Sequence, residues 1–119
     1  MDPDTGATDA LVVLDVPFQR PRPHHVLTLR GSTACGDAEL EAAFDRVTRA
    51  GVPLIVDLAG LVFGSELLLG LLLAARHTTT LILVGPVCGS FQRRLRTTGT
   101  LHVFDVRPTL TEALTLLPC

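Results

Sequence analysis

Apolar and polar positions change their rhythm several times along the 119-residue chain, and each change marks an element. Ala10 to Val16 is an apolar run with two adjacent valines, closed by Pro17, which has no N–H to give to a sheet ladder. It predicts a first strand at a sheet edge. Two prolines and two arginines fill Phe18 to Pro23, after which His25 to Arg30 alternates, Val26, Thr28 and Arg30 opposing Leu27 and Leu29. The two runs together predict a hairpin-like pair of strands. Small residues from Gly31 to Gly36 form a loop. From Asp37 onward, Leu40, Ala43, Phe44, Val47 and Ala50 recur at helical spacing. Asp37, Glu39 and Glu41 at the start and Arg46 and Arg49 at the end match the helix dipole, and Gly51 stops the helix. Pro53 to Ala59 is apolar throughout except at Asp57, the pattern of a strand covered on both faces in a parallel sheet.

Ser65 can cap a second helix running to about His77, apolar on nearly every side and therefore expected to be deeply covered. Leu81 to Val84 predicts a short buried strand, and Gly85-Pro86 turns the chain into a helix around Ser90 to Thr98. In that helix Phe91 and Leu95 point inward and Arg93, Arg94 and Arg96 outward. Gly99 ends it, Leu101, Val103 and Asp105 to Val106 make a last strand, and Thr109 or Thr111 begins a terminal helix through Leu117. Strands alternating with such helices predict one α/β domain, a mostly parallel mixed sheet of about five strands packed with about four helices. The domain spans residues 10–119, behind a flexible tail of residues 1–9. Ligands and partners of such sheets meet loops beyond the carboxyl ends of the strands, here 59–65, 85–90 and 106–109.

Composition narrows the functional classes. With 47% apolar residues, a chain of this length can bury roughly two-thirds of its unfolded surface and fold alone. Ten arginines and no lysine stand against 12 acids, so the net charge is -2, and the five phenylalanines form no basic-aromatic pattern. Nucleic acid is not an expected partner. The longest apolar stretch, Leu67 to Ala75, is about half a membrane span, so no membrane partner is expected either. An acidic N-terminus without a cationic region does not read as a secretory signal, and the expectation is a cytoplasmic protein. Cys35, Cys88 and Cys119 are odd in number and contain no Cys-x-x-Cys pair, as expected of reduced thiols.

The segment Leu54-Ile-Val-Asp57-Leu58-Ala-Gly60-Leu-Val-Phe63, followed by Leu69-Gly70 through Arg76, resembles the centre of a STAS domain, the domain of the anti-sigma factor antagonists. The likeness continues through Leu81 to Pro86, Arg94 to Gly99, Phe104-Asp-Val106 and Thr111 to Leu114, covering roughly residues 10 to 117. It implies a non-enzymatic protein-interaction module in bacterial transcription control. The implied partner is an anti-sigma factor or related serine kinase, and the implied output is release of a sigma factor. No cofactor is implied, and a homodimer is compatible with it. Antagonists of the family carry a loop Phe-x-Asp-Ser-(Ser/Thr/Ala)-Gly-Leu whose first Ser is phosphorylated. Counted from Phe63 or back from Leu69-Gly70, this chain has Ser65 at the Asp position, Glu66 at the acceptor position and Leu68 at the Gly position. Phosphate would add about 1.5 to 2 negative charges at a helix N-terminus, and Glu66 places one permanent charge there. Glu66 therefore reads either as a fixed imitation of the phosphorylated form or as an ordinary first-turn acid behind an N-cap serine. A register shifted by one makes Ser65 the acceptor. The expected partner-binding set is Gly64, Ser65, Glu66, Leu67 and Leu68, with Arg76, Arg93, Arg94 and Arg96 as a basic docking patch beside it. A solvated helix face accounts for the same arginines.

Other chemistry is sparser. Cys88, between a strand and a helix, is the one nucleophile candidate and underlies a competing reading as a thiol enzyme. A third reading is a degenerate STAS scaffold that never meets a kinase. His24 and His25, adjacent in a strand, point to opposite faces and cannot share a metal ion, and His77 and His102 have no ligand spacing. Asp57 reads as structural, accepting backbone donors from the following loop. No Walker or Gly-x-Gly-x-x-Gly loop is present.

Overall fold

The computed structural model describes residues 11–20, 22–33 and 36–117. The expected N-terminal tail, residues 1–9, lies outside the described residues, as do Cys35 and Cys119. The elements are β1 (Val12–Phe18), β2 (His24–Ser32), α1 (Asp37–Arg49), β3 (Leu54–Phe63), α2 (Glu66–Thr78), β4 (Leu81–Val84), α3 (Gly89–Thr97), a 3-10 turn (Leu101–Val103), β5 (Asp105–Arg107) and α4 (Leu110–Leu114). The strands lie in sequence order in one sheet, β1 antiparallel to β2 and the rest parallel. This is the predicted α/β architecture.

The two faces of the sheet are covered unequally. Leu27 and Leu29 of β2, Leu54, Val56 and Leu58 of β3 and Leu81 and Leu83 of β4 share one face. Onto it pack Leu40, Ala43, Phe44 and Val47 of α1, Leu68, Leu69, Leu72 and Ala75 of α2, and Phe91 and Leu95 of α3. The other face carries Val26, Ile55, Ile82 and Val84, closed by Ala113 and Leu117 around α4. Alternation along each strand supplies both sets, which is why β3 and β4 read as unbroken apolar runs.

Several boundaries differ from the sequence reading. β1 runs through Pro17 to Phe18, because an edge position leaves the missing N–H of Pro17 without consequence, and β2 begins at His24 and takes Gly31 and Ser32 from the expected loop. β3 continues past Ala59 to Phe63 by means of two register shifts against β2. At the first shift Asp57 Oδ1 accepts the Ala59 N–H at 3.0 Å, so the carboxylate serves a donor inside the strand rather than in the following loop. Gly60 lies opposite Arg30 there, and a Cβ would meet the Arg30 Cγ at 2.8 Å, so glycine leaves room for the Arg30 stem where the two strands run together. Leu101 and Val103 form the 3-10 turn, not a strand: Val103 N–H bonds to Thr100 O, and the Val103 carbonyl accepts the Arg76 Nε–H at 3.0 Å. β5 is therefore only three residues. Thr109 caps α4 through the Glu112 N–H at 3.1 Å, and after Leu114 the chain continues in tight turns to Leu117.

α2 is less covered than its composition suggests. Leu68, Leu69, Leu72 and Ala75 are buried, but Leu67, Leu71 and Leu73 are half-buried and Gly70 and Ala74 exposed. One helix against one layer of sheet can bury only one stripe, whatever its other faces carry.

Candidate functional site

At the carboxyl end of the parallel strands, β3 passes into α2 through Gly64 and Ser65 alone. Gly64 is buried, and a Cβ there would fall far inside van der Waals contact with the Phe91 ring of α3. Glycine is thus what allows the β3–α2 corner to sit down on α3. Ser65 is extended and is the N-cap of α2, its Oγ accepting the Leu68 N–H at 3.3 Å.

Behind this cap stands a residue that the sequence reading passed over. Thr33, just beyond β2, is fully buried. Its N–H extends the β2–β3 ladder to Phe63 O at 3.0 Å, and its Oγ1 accepts the Ser65 N–H at 2.8 Å. The single Thr33 hydroxyl proton has two acceptors within reach, Phe63 O and Ser65 Oγ, each at 3.1 Å. The Ser65 side chain is therefore held from two sides, by the start of its own helix and by the neighbouring strand end. The sequence offered a faint signal for this, a polar residue in the small-residue loop after β2, with no pattern tying it to Ser65.

Glu66, the first residue of α2, points the other way. Its side chain is 89% exposed, and Oε1 lies 3.6 Å from Arg94 Nη1. Arg94 does not face fully outward as expected. Its side chain is 30% exposed and its Nε is buried without a hydrogen-bond partner, because the side chain lies in the angle between α3 and the start of α2. An exposed pair at this distance contributes little to stability, but it sets a cation directly beside the acid. Arg93 and Arg96 are exposed, whereas Arg76, ten residues along α2 and so about 15 Å from Glu66, is tied to Val103. The four arginines do not form one patch: Arg94 belongs to the acidic start of α2 and Arg76 to its opposite end.

Of the expected binding set, Ser65, Glu66 and Leu67 reach the surface, while Gly64 and Leu68 are buried, Leu68 because the third residue after the cap turns onto the core stripe. Val62 adds to the set. It is the residue left over at the second register shift of β3, and at 63% exposure it is an outward-facing hydrophobic side chain two residues before the corner.

The remaining candidates lie apart. Cys88 precedes α3, half-buried, with Sγ 3.6 Å from Ser90 Oγ, and no histidine or carboxylate among the described residues bonds to it. His24 is buried, its Nδ1 2.6 Å from Arg22 O and its ring stacked on Phe18. His25 on the opposite face meets Asp15 at 2.8 Å. His77 and His102 are exposed. Among the described residues no three His, Cys, Asp or Glu side chains gather as a metal site would need, and no helix is long and apolar enough to cross a membrane.

With this geometry in view, comparison with known proteins is informative at the level of structure. The chain is similar to an anti-sigma factor antagonist from Mycobacterium paratuberculosis, 27% identical, with a TM-score of 0.72 over 92% of this chain and 95% of that one. It is also similar in fold to the anti-sigma factor antagonist SpoIIAA in its unphosphorylated form, 16% identical, with a TM-score of 0.66 over 88% and 93% of the two chains. No protein-family model matches the sequence, and no curated protein sequence matches it. The chain has the STAS fold of anti-sigma factor antagonist structures, as the resemblance along its strands and helices implied.

Proposed function

We propose that this chain is a non-enzymatic interaction module of the anti-sigma factor antagonist type, acting in the cytoplasm on bacterial transcription. Its surface is the start of α2, with Ser65, Glu66 and Leu67 flanked by Val62 and Arg94, and its partner is an anti-sigma factor or related serine kinase. Glu66 holds the acceptor position as a permanent negative charge. The observation that carries this reading is the division of labour between two adjacent residues. Ser65 Oγ is committed to the Leu68 N–H and to Thr33, while the Glu66 carboxylate stands in solvent beside Arg94 at the positive end of the helix. A hydroxyl engaged inside the corner is poorly placed to receive phosphate, and a carboxylate outside it presents the charge without one. The similarity to an anti-sigma factor antagonist over nearly the whole chain supports the partner class.

The test is affinity capture from the native cytosol with wild type, Glu66→Ser and Leu67→Arg, followed by mass spectrometry of the captured proteins. An anti-sigma factor or its kinase captured by wild type or Glu66→Ser and lost with Leu67→Arg is the expected result. Capture by Glu66→Ser alone would mean that the fixed charge holds the module off its partner. If neither form captures such a protein, the antagonist reading fails and a scaffold role takes its place.

A further inference from the structure

The exposed apolar side chains of this protein are not scattered. Of the six large hydrophobic residues exposed among the described residues, Val12, Leu14, Val16 and Phe18 belong to β1, each between 43% and 47% exposed. They alternate with Val13, Asp15 and Pro17, so all four point to one side of the sheet. Their cross-strand partners Arg30, Thr28, Val26 and His24 place that side on the face closed elsewhere by α4. Because α4 packs on β4 and β5, it leaves the β1 end open. The result is an apolar row about 20 Å long on an edge strand.

We propose that this edge is a homodimer interface, in which β1 of one protomer pairs antiparallel with β1 of a second copy across a twofold axis at Leu14. Three observations favour a second copy as the occupant. First, among the described residues β1 pairs only with β2, so its outer side offers a line of backbone groups, and of the usual guards of such an edge Pro17 alone is present, one residue from the end of the strand, while no charge points outward from the row. Second, residues 1 to 10 contain Met1 as their one large apolar residue and so offer little apolar surface to match the row. Third, charge along the sequence suits an antiparallel copy. The chain enters β1 from Asp2, Asp4 and Asp9 and leaves it into Arg20 and Arg22, so reversal sets an acidic lead-in toward a basic exit at both ends.

The register follows from the side chains. A twofold at Asp15 would set two carboxylates directly opposite each other on the helix-covered face. With the axis at Leu14, Leu14 faces its own copy and Val12 faces Val16, while Asp15 faces Val13 and keeps its bond to His25. A ten-stranded sheet results, with the carboxyl ends of the two parallel halves pointing in opposite directions. Both Glu66 surfaces stay free, and one dimer presents two of them.

Sedimentation over a concentration series tests the interface, using wild type, Leu14→Glu and, as a control, Leu110→Glu at the exposed position of α4. Leu14 is already half in solvent, so circular dichroism should show both variants folded. Wild type and Leu110→Glu should dimerise alike, and Leu14→Glu, which sets two carboxylates across the axis, should weaken the dimer roughly tenfold or more. In a chain with Cys35, Cys88 and Cys119 replaced by Ser, Leu14→Cys should oxidise to a disulfide-linked dimer, since directly opposed strand residues have Cα atoms about 4.5–5.5 Å apart. A wild type that stays monomeric throughout, a Leu14→Glu dimer as strong as wild type, or a Leu14→Cys chain that does not cross-link would each overturn the proposal.

Discussion

Two helices begin at the same end of the sheet after neighbouring parallel strands, α2 behind β3 and α3 behind β4, and their first turns are built differently. α2 starts from a serine that bonds its own helix and a buried threonine of the next strand end, and its first residue is an acid. α3 starts from Cys88, which makes no capping hydrogen bond, and has no acid in its first turn. Topology alone would nominate both corners as sites. The hydrogen bonds distinguish them: the corner of α2 is anchored so that an exposed carboxylate sits on a rigid turn, whereas the corner of α3 holds a thiol with only a serine hydroxyl for company. A fixed charge needs a fixed support, and only one corner supplies it.

That contrast can be broken at graded cost. Gly64→Ala should have the largest effect, because its methyl group has no room against Phe91. We expect a loss of about 3 kcal/mol in urea unfolding at an unchanged denaturant slope. Thr33→Val keeps the shape of the side chain but leaves the Ser65 N–H without its acceptor, and should cost about 2 kcal/mol by the same measurement. Ser65→Ala removes the cap and should cost about 1 kcal/mol. At the other corner the sign reverses. Cys88→Ser supplies the hydroxyl that α3 lacks and should raise stability by about 0.5 kcal/mol or leave it unchanged, whereas a thiol essential to the fold would make it a loss. If Ser65→Ala and Cys88→Ser both proved neutral, the difference between the corners would have no energetic content.

The order of elements was legible in the sequence because each core stripe is written in local spacing. Leu40, Phe44 and Val47 recur as a helix face, and Leu54, Val56 and Leu58 alternate with Ile55 on β3. Ser65 as a cap and Glu66 as the first-turn acid were legible for the same reason, as properties of one turn. What escaped was set by long-range pairing. The extension of β3 to Phe63 depends on register shifts against β2, and with it came the exposure of Val62. The role of Thr33 depends on two strand ends meeting 32 residues apart. Arg94 and Arg76 share a charge but not a neighbourhood, a distinction that only the crossing of α2 and α3 and the 3-10 turn could draw. β1 read in the sequence only as an apolar run closed by Pro17, and the exposure of its alternate residues follows from where α4 ends.

The central claim is that the start of α2 carries its negative charge permanently, in the carboxylate of Glu66, and takes no phosphate on Ser65. The most direct test is phosphopeptide mapping of residues 54–76 in protein isolated from its native cells, with a Glu66→Ser variant expressed in the same cells alongside. The account predicts no phosphate on Ser65 in the wild type and, where the partner kinase is active, phosphate at position 66 of the variant. Phosphate on Ser65 of the wild-type chain would contradict it.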